Sequence, residues 1–276
     1  MLVLWLAGAA LGGELPDLRS VPADLVVPPI QDGPPAPGVR VRGFLPDYEG
    51  TEVGHVLYLP TDWKPGTHYP VLVEYAGNGG YTNQYGDVCT GLPEDSKLGY
   101  GISAGRGFLW LCLPYVEHGS RRICTRWWGD VDATLDYCRR AIELVCAEYG
   151  GDPDALILSG FSRGAIACGY LGLHDDETAR LWRAFIACSH YDGVTPWPYE
   201  GSDAASAIER GRRLNGRPSF VCHEGSVEGA RKFLLRSGID APFTFQAVPF
   251  RNHSDAWVLR DTPARRALRE WLAGVP

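Results

Sequence analysis

The sequence lacks several features by which a class of protein is often recognised, and each absence excludes something. It contains no CxxC pair and its seven histidines are scattered, which argues against a structural zinc site. Lys and Arg number 26 against 33 Asp and Glu, so the formal net charge is −7. Proteins that bind nucleic acid need clustered basic side chains, and we therefore expect no nucleic-acid partner. The sequence shows no internal repeat.

The start of the chain has no hydrophobic run long enough to cross a bilayer. The first twelve residues, MLVLWLAGAALG, are apolar but too short for a membrane span. They predict a secretory signal peptide over residues 1–13, although no Lys or Arg precedes the apolar part. We therefore expect a secreted or periplasmic protein without stable membrane insertion. Residues 14–38 are Pro-rich and predict an extended leader before a single domain over residues 39–276.

The chain does contain eight cysteines, and they fall into two groups. Six lie within strand-like or helix-like runs, where cysteine packs as a small hydrophobic residue. Cys89 and Cys124 lie in polar loops instead. In an exported protein these two are the predicted disulfide pair.

Apolar runs alternate with helix-like segments along the chain. Residues 39–42 and 54–59 alternate in polarity and predict an antiparallel edge at the N-terminal side of a sheet. Residues 69–75 and 108–113 are continuous apolar runs, typical of central strands covered on both faces. Later strands each precede a helix. The pattern predicts an α/β fold with a doubly wound, mostly parallel sheet.

One short motif carries chemistry. The segment Gly160-Phe161-Ser162-Arg163-Gly164 follows an apolar strand and opens a helix. This is the G-x-S-x-G nucleophile-elbow pattern, in which small neighbours let strand and helix approach closely and a strained turn exposes the serine. We therefore predict Ser162 as a nucleophile.

With this motif, residues 39–274 resemble the α/β-hydrolase superfamily, and most of all its secreted serine esterases, such as feruloyl esterases and polyhydroxyalkanoate depolymerases. The resemblance implies a histidine base after the last strand, where His253 stands in VPFRNHSDAW. It also implies an oxyanion hole built from the backbone N–H groups of Arg163 and, in EYAGNGGYTN, of Asn78. Esterases of this type usually carry His-Gly where this chain has Ala76-Gly77. No metal and no organic cofactor is implied.

The third member of the implied catalytic triad, a carboxylate, has three candidates. Glu224 stands one residue beyond an apolar run, at the carboxyl edge of the predicted sheet, and is the preferred one. Glu228 falls in the first turn of the following helix, where a negative charge also complements the helix dipole. Asp192 follows the preceding strand, a position that some members of the fold use.

Several aromatic residues lie in loops at the carboxyl ends of strands, the side on which open α/β sheets bind ligands. They predict a substrate cleft formed by Tyr81, Tyr85, Trp127, Trp128, Tyr191 and Trp197. The predicted function is hydrolysis of carboxylic esters, with a small-molecule or polymer-attached ester as substrate. The alternatives are a serine peptidase of the prolyl-oligopeptidase type and a non-catalytic binding protein of the same fold. The sequence predicts no oligomeric state.

Overall fold

The computed structural model of the chain describes residues 14–119 and 121–275, and the predicted signal peptide over residues 1–13 lies outside the described residues. The strands are β1 Ile30–Gln31, β2 Arg40–Gly43, β3 His55–Tyr58, β4 Tyr69–Tyr75, β5 Tyr81–Thr82, β6 Val88–Cys89, β7 Leu109–Leu113, β8 Gly151–Phe161, β9 Ala184–Cys188, β10 Ser219–Glu224 and β11 Phe243–Val248. The α-helices are α1 Leu98–Ser103, α2 Val131–Tyr149, α3 Arg163–Tyr170, α4 Asp176–Arg180, α5 Ala204–Gly211, α6 Glu228–Ser237 and α7 Pro263–Ala273. Short 3₁₀ helices span Leu18–Ser20, Pro46–Tyr48, Pro93–Asp95, Arg212–Leu214 and Asp255–Leu259.

Nine of these strands form one sheet in the order β1-β2-β3-β7-β4-β8-β9-β10-β11. From β7 to β11 all neighbours are parallel. Strand β3 runs antiparallel to both of its neighbours, β2 and β7. The predicted fold class, a mostly parallel sheet with an antiparallel N-terminal edge, is confirmed. Strands β5 and β6 form a separate hairpin.

The apolar side chains of the central strands point alternately to two layers of helices. Val71 and Val73 of β4 pack in a core with α2 and α3, whereas Leu72 packs on the other face with α1 and α7. Both faces are therefore covered, which explains why the central strands read as continuous apolar runs.

The ends of the helices follow from the local sequence. Asp130 accepts a hydrogen bond from the backbone N–H of Ala133 at 2.9 Å and begins α2, and Gly150, with φ of +76°, ends it. Thr262 begins α7 in the same way, with Pro263 at its first position. These caps fix where each helix starts relative to the sheet edge.

The Pro-rich segment before residue 39 packs against the domain. Leu18 is buried, and its N–H donates to Asn252 Oδ1 at 2.7 Å. Asp24 pairs with Arg265 of α7, and β1 joins the sheet beside β2. Within residues 14–119 and 121–275 no helix is long and apolar enough to cross a membrane.

Candidate active site

Ser162 occupies the sharp turn between β8 and α3. Its backbone has φ of +56° and ψ of −114°, a conformation that a non-glycine residue rarely adopts. A Cβ atom on Gly160 would overlap the backbone of Gly164, and one on Gly164 would overlap the carbonyl of Tyr75. Both flanking positions therefore require glycine, since strand and helix approach too closely for any side chain.

Three predicted residues meet above the carboxyl edge of the sheet. His253, in the loop after β11, places its Nε2 3.0 Å from Ser162 Oγ. Its Nδ1 lies 2.5 Å from Oε1 of Glu224, the last residue of β10. The side chains of His253 and Glu224 are only 14% and 17% exposed, so the contact between them is largely shielded from water. The serine, imidazole and carboxylate form one continuous hydrogen-bonded line.

The Glu224 carboxylate is held in its charged form. Burial acts to raise its pKa, but the hydrogen bond and charge of His253, with a further contribution from His223, outweigh burial and lower the pKa to about 2. Glu224 is therefore ionised at neutral pH and can orient the imidazole and stabilise its protonated form.

The two other candidate acids lie away from His253. Asp192 is buried but forms an ion pair with Arg210, whose Nη2 is 2.8 Å from Asp192 Oδ2. Glu228 is exposed in the first turn of α6 and pairs with Arg231 at 3.2 Å. Of the three carboxylates, the structure brings only Glu224 to the histidine.

The predicted oxyanion donors line the same cavity as Ser162. Asn78 and Arg163 both form part of its wall, and the chain between Ala76 and Asn78 passes beside the serine. A Cβ on Gly77 would lie 3.3 Å from the Ser162 Cβ. This close approach explains the glycine, while the departure from His-Gly falls on Ala76, which is buried and lies two residues before Asn78, outside the cavity wall.

The cavity beside Ser162 has a volume of about 210 Å³. Tyr81, Trp127 and Trp197 of the predicted aromatic set line it. The sequence reasoning missed four further lining residues, which are Cys89, Phe161, Ile166 and His190. Phe161 adjoins the elbow serine in the sequence and could have been found from that position.

His190 is the most polar of the lining residues that were missed. Its ring lies 5.3 Å from the His253 ring and 5.4 Å from Trp197. Burial, and then the charge of His253, lower the pKa of His190 to about 4. It is therefore neutral at neutral pH. Its place as the second residue after the apolar strand β9 is the signal in the sequence that could have indicated it.

The other three predicted aromatic residues do not line this cavity. Trp128 is buried in the core, stacked on Tyr170 at 4.5 Å. Tyr191 packs against Phe243. Tyr85 lies under the guanidinium of Arg251, 4.6 Å from the centre of its ring. For these three the expectation of a cleft position is wrong, because their rings pin loops to the body of the domain.

The predicted disulfide is also absent, since Cys89 and Cys124 are both free thiols. Cys124 is buried and its Sγ lies 2.9 Å from the carbonyl oxygen of Arg126, whereas Cys89 faces the cavity. Their two loops are joined instead through Arg163, whose guanidinium donates to the carbonyls of Gly91 and Cys124. The buried Arg163 side chain thus links the two loops that were expected to be linked by a disulfide.

A buried carboxylate supports the histidine loop from the β5–β6 hairpin. Asp87 Oδ2 accepts a hydrogen bond from the backbone N–H of His253 at 3.0 Å, and its Oδ1 accepts one from Asn252 Nδ2 at 2.9 Å. Asn83 adds a second bond to Asp87 Oδ2 at 2.8 Å.

The part of the chain that the structure describes contains no group of three His, Cys, Asp or Glu side chains placed to hold a metal ion.

No protein-family model and no curated protein matches the sequence. Solved structures do match. Fungal esterases from Rhizomucor miehei align with a TM-score of 0.57 and 14% identity over 86% of this chain and 82% of theirs. Thermogutta terrifontis esterase 2, solved phosphoramylated by tabun, aligns at 0.53 and 18% over 87% and 94%. Porphyromonas gingivalis dipeptidyl peptidase 4 aligns at 0.53 and 18% over 81% and 34%.

The fraction of the matched chain's length that this chain covers differs between the esterases and the peptidases. This chain spans about a third of the dipeptidyl peptidases, 35% and 34%, and 62% of a thermostable esterase. It spans most of the Rhizomucor and Thermogutta esterases, 82% and 94%. At such low sequence identity the likeness concerns the fold. The chain has the architecture shared by the esterases and dipeptidyl peptidases of the α/β-hydrolase superfamily.

Proposed function

We propose that this protein is a serine hydrolase that cleaves carboxylic esters through an acyl-enzyme. The observation that carries the proposal is the hydrogen-bonded line from Ser162 Oγ through both ring nitrogens of His253 to Glu224. A nucleophile, a base and an orienting acid in this order form the constellation that activates a serine.

Each residue has a defined part in the proposed reaction. His253 Nε2 removes the proton of Ser162 as Oγ attacks the ester carbonyl carbon. The backbone N–H groups of Asn78 and Arg163 stabilise the negative oxygen that forms, an effect of about 3 kcal/mol for each donor in a dry site. His253 then donates the proton to the leaving alcohol, and Glu224 stabilises the imidazolium meanwhile. Water then attacks the acyl carbon while His253 removes its proton, and His253 returns a proton to Ser162 Oγ as the acid is released.

The two alternatives remain open to test. A peptidase would use the same three residues, and dipeptidyl peptidases are among the structural neighbours. A binding protein of the same fold would not need the strained serine or the short contacts of His253. Esterases and dipeptidyl peptidases are both among the structural neighbours, and the hydrolysis assay described below distinguishes the two activities.

The substrate side of the proposal is coarser. Tyr81, Trp127 and Trp197 line the cavity and suit sugar rings or apolar acyl groups, so carbohydrate-linked and polymeric esters are included as candidate substrates. Export of the protein stays a prediction, since it depends on residues 1–13.

Hydrolysis of p-nitrophenyl acetate and butyrate, with a peptidyl p-nitroanilide beside them, tests the proposal. We expect turnover of the esters and a far slower reaction of the anilide. Ser162→Ala and His253→Ala should each remove nearly all turnover, as much as a millionfold, because the residues act as a unit. Ser226→Ala and His118→Ala, at exposed positions, are the matched controls. A Ser162→Ala variant that keeps more than a few per cent of the activity would contradict the assignment.

A further inference from the structure

Trp127 has an unusual backbone conformation for a large residue. Its φ is +51°, in the left-handed region that favours glycine. Two hydrogen bonds hold it there. Its N–H donates to Asn78 Oδ1 at 2.9 Å, and its carbonyl oxygen accepts from Arg163 Nη1 at 2.8 Å. Strained residues of this kind persist where their surroundings over-determine them, often at ligand sites.

An arginine side chain is an unusual group to hold the Trp127 backbone in place. Arg163 is fully buried, and its guanidinium lies 3.7 Å from the centre of the Tyr115 ring. Its described hydrogen-bond acceptors are the carbonyls of Gly91, Cys124 and Trp127, with no carboxylate among them. A guanidinium without a carboxylate partner is costly to bury, so its retention beside the nucleophile points to a role in shaping the site.

The position of Trp127 relative to His253 indicates which part of an ester it would contact. The leaving oxygen must lie against His253, which protonates it. Tyr81, Phe161 and His190 pack on the His253 ring, with ring centres 4.7 to 5.3 Å from it. Trp127 instead packs against Trp128, Trp197 and Tyr199, and is tied to the two residues that supply the proposed oxyanion donors. In the described residues, Trp127 is therefore not among the rings that pack on His253, beside which the leaving oxygen would lie.

The size of the cavity then sets a limit. The cavity beside Ser162 is small, with a volume of about 210 Å³. It is also below the range of about 300–1,000 Å³ that is typical of pockets for drug-sized ligands. An octanoyl group has nearly twice as many non-hydrogen atoms as a butyryl group, so a small cavity favours the shorter acyl chain.

We propose that the side chains of Arg163 and Asn78 hold Trp127 as the end wall of an acyl pocket, which selects esters of short acyl chains and rejects long ones. This inference rests on the proposed function and specifies its substrate class. Trp127 is the specificity-determining residue, since it would touch the acyl group. Arg163 and Asn78 are positioning residues in this role and act through Trp127.

The test measures kcat/KM for p-nitrophenyl acetate, butyrate and octanoate. The wild-type protein should prefer acetate or butyrate. Trp127→Ala and Trp127→Gly should each raise the octanoate-to-acetate ratio by about tenfold or more, the scale on which apolar pockets discriminate chain length. Agreement between the two variants shows that the removed ring, and not the backbone strain, sets the ratio, because only glycine relieves the positive φ. Trp128→Phe, next in the sequence but outside the cavity, is the control and should leave the ratio within about twofold of the wild type.

Two further variants test the positioning role. Asn78→Ala keeps the backbone N–H but removes the acceptor of the Trp127 N–H, and Arg163→Lys removes the planar group that bridges three carbonyls. Both should shift the octanoate-to-acetate ratio in the same direction as Trp127→Ala, whatever they do to the overall rate. A general loss of structure would lower the rates of all three esters together and leave the ratio unchanged, which would contradict the positioning role.

A separate experiment tests whether Trp127 contacts the acyl group or the alcohol group of the ester. Acetate esters of alcohols of increasing length are compared in the wild-type protein and Trp127→Ala. The inference would be overturned if Trp127→Ala changed the preference among the alcohols but left the preference among the acyl groups unchanged. A wild-type preference for octanoate would also overturn it. These failures differ from failure of the proposed function itself, in which the wild-type protein hydrolyses none of the esters and a fluorophosphonate probe leaves Ser162 unlabelled.

Discussion

Two carboxylates at the carboxyl edge of the sheet invite comparison, since they follow neighbouring strands and are both shielded from water. Glu224 ends β10, and Asp192 comes four residues after the end of β9. Their side chains are 17% and 2% exposed. Glu224 faces an imidazole that contacts the elbow serine, whereas Asp192 faces the guanidinium of Arg210.

The difference teaches that the partner, and not burial or sequence position, separates a candidate catalytic acid from a structural one. Burial acts to raise both pKa values. For Glu224 the histidine contacts outweigh it and lower the pKa to about 2. For Asp192 burial prevails over the opposing effect of Arg210 and raises the pKa to about 6. Arg210 also lies over the Tyr170 ring and donates to the Gly201 carbonyl, so the Asp192 pair ties α5 to the loop after β9.

The largest expected effect is the loss of the Glu224 charge. Glu224→Gln should lower ester turnover by about three to four orders of magnitude, because an amide neither stabilises the imidazolium nor fixes the correct tautomer. The measurement is kcat for p-nitrophenyl butyrate, with circular dichroism to show that the fold is retained. A mild effect here, together with a crippled Asp192→Asn, would mean that the acid lies on the other strand.

The pH dependence of stability should have opposite signs for the two residues. The folded protein holds the Asp192 proton more tightly than the unfolded chain does, so the stability that Asp192 contributes is lost as pH rises from about 3.8 to 6. Glu224 contributes stability above about pH 4.5 that is lost as pH falls toward 2. Each change amounts to about 3 kcal/mol at 1.36 kcal/mol for one pKa unit.

Urea unfolding between pH 3 and pH 7 measures both changes. As the pH rises from 4 to 6, the free energy of unfolding of Asp192→Asn should increase relative to that of the wild type. As the pH rises from 3 to about 5, that of Glu224→Gln should decrease relative to the wild type. Difference curves of the same sign for the two variants would contradict the assignment of the two environments.

The effect of Asp192→Asn on catalysis should be small. Asp192 contacts neither His253 nor Ser162 in the structure, and its hydrogen bonds go to Arg210. We expect ester turnover within about threefold of the wild type at neutral pH. Steady-state kinetics at saturating p-nitrophenyl butyrate measures it, and a loss beyond a hundredfold would show that the residue acts on the site.

The smallest expected effect belongs to Glu228. Its side chain is half exposed at the start of α6 and pairs only with Arg231 in the described residues. Glu228→Gln should change turnover by less than about twofold and the free energy of unfolding by at most about 0.5 kcal/mol, since solvent screens an exposed charge at a helix start. The same kinetic and urea measurements serve as the check.

The sequence alone predicts the sheet, its antiparallel edge and the residues that meet at Ser162. The elbow glycines and the late histidine can be recognised because their chemistry requires a residue type at a fixed place along the chain. Glu224 was preferred over Glu228 and Asp192 for its place at the end of an apolar run, and the structure brings Glu224 to His253.

The features that the sequence does not reveal depend on contacts between distant segments. The Arg163 side chain bonds to three separate positions between Gly91 and Trp127, and Asp87 reaches the His253 loop across 166 residues. A polar residue in a loop gives no sign of such partners. For the same reason the aromatic cleft was only half predicted, since a loop tryptophan such as Trp128 can face the core as readily as a cavity.

Labelling with a fluorophosphonate probe tests most directly the central claim that Ser162, His253 and Glu224 act as one nucleophilic unit. The labelling rate and the modified peptide are determined for wild type, Glu224→Gln and Asp192→Asn. The account predicts a single adduct on Ser162 in folded wild type, a labelling rate in Asp192→Asn close to the wild-type rate, and in Glu224→Gln a rate that falls in step with its turnover. An unlabelled Ser162 in folded wild type, or a labelling rate that depends on Asp192 and not on Glu224, would contradict it.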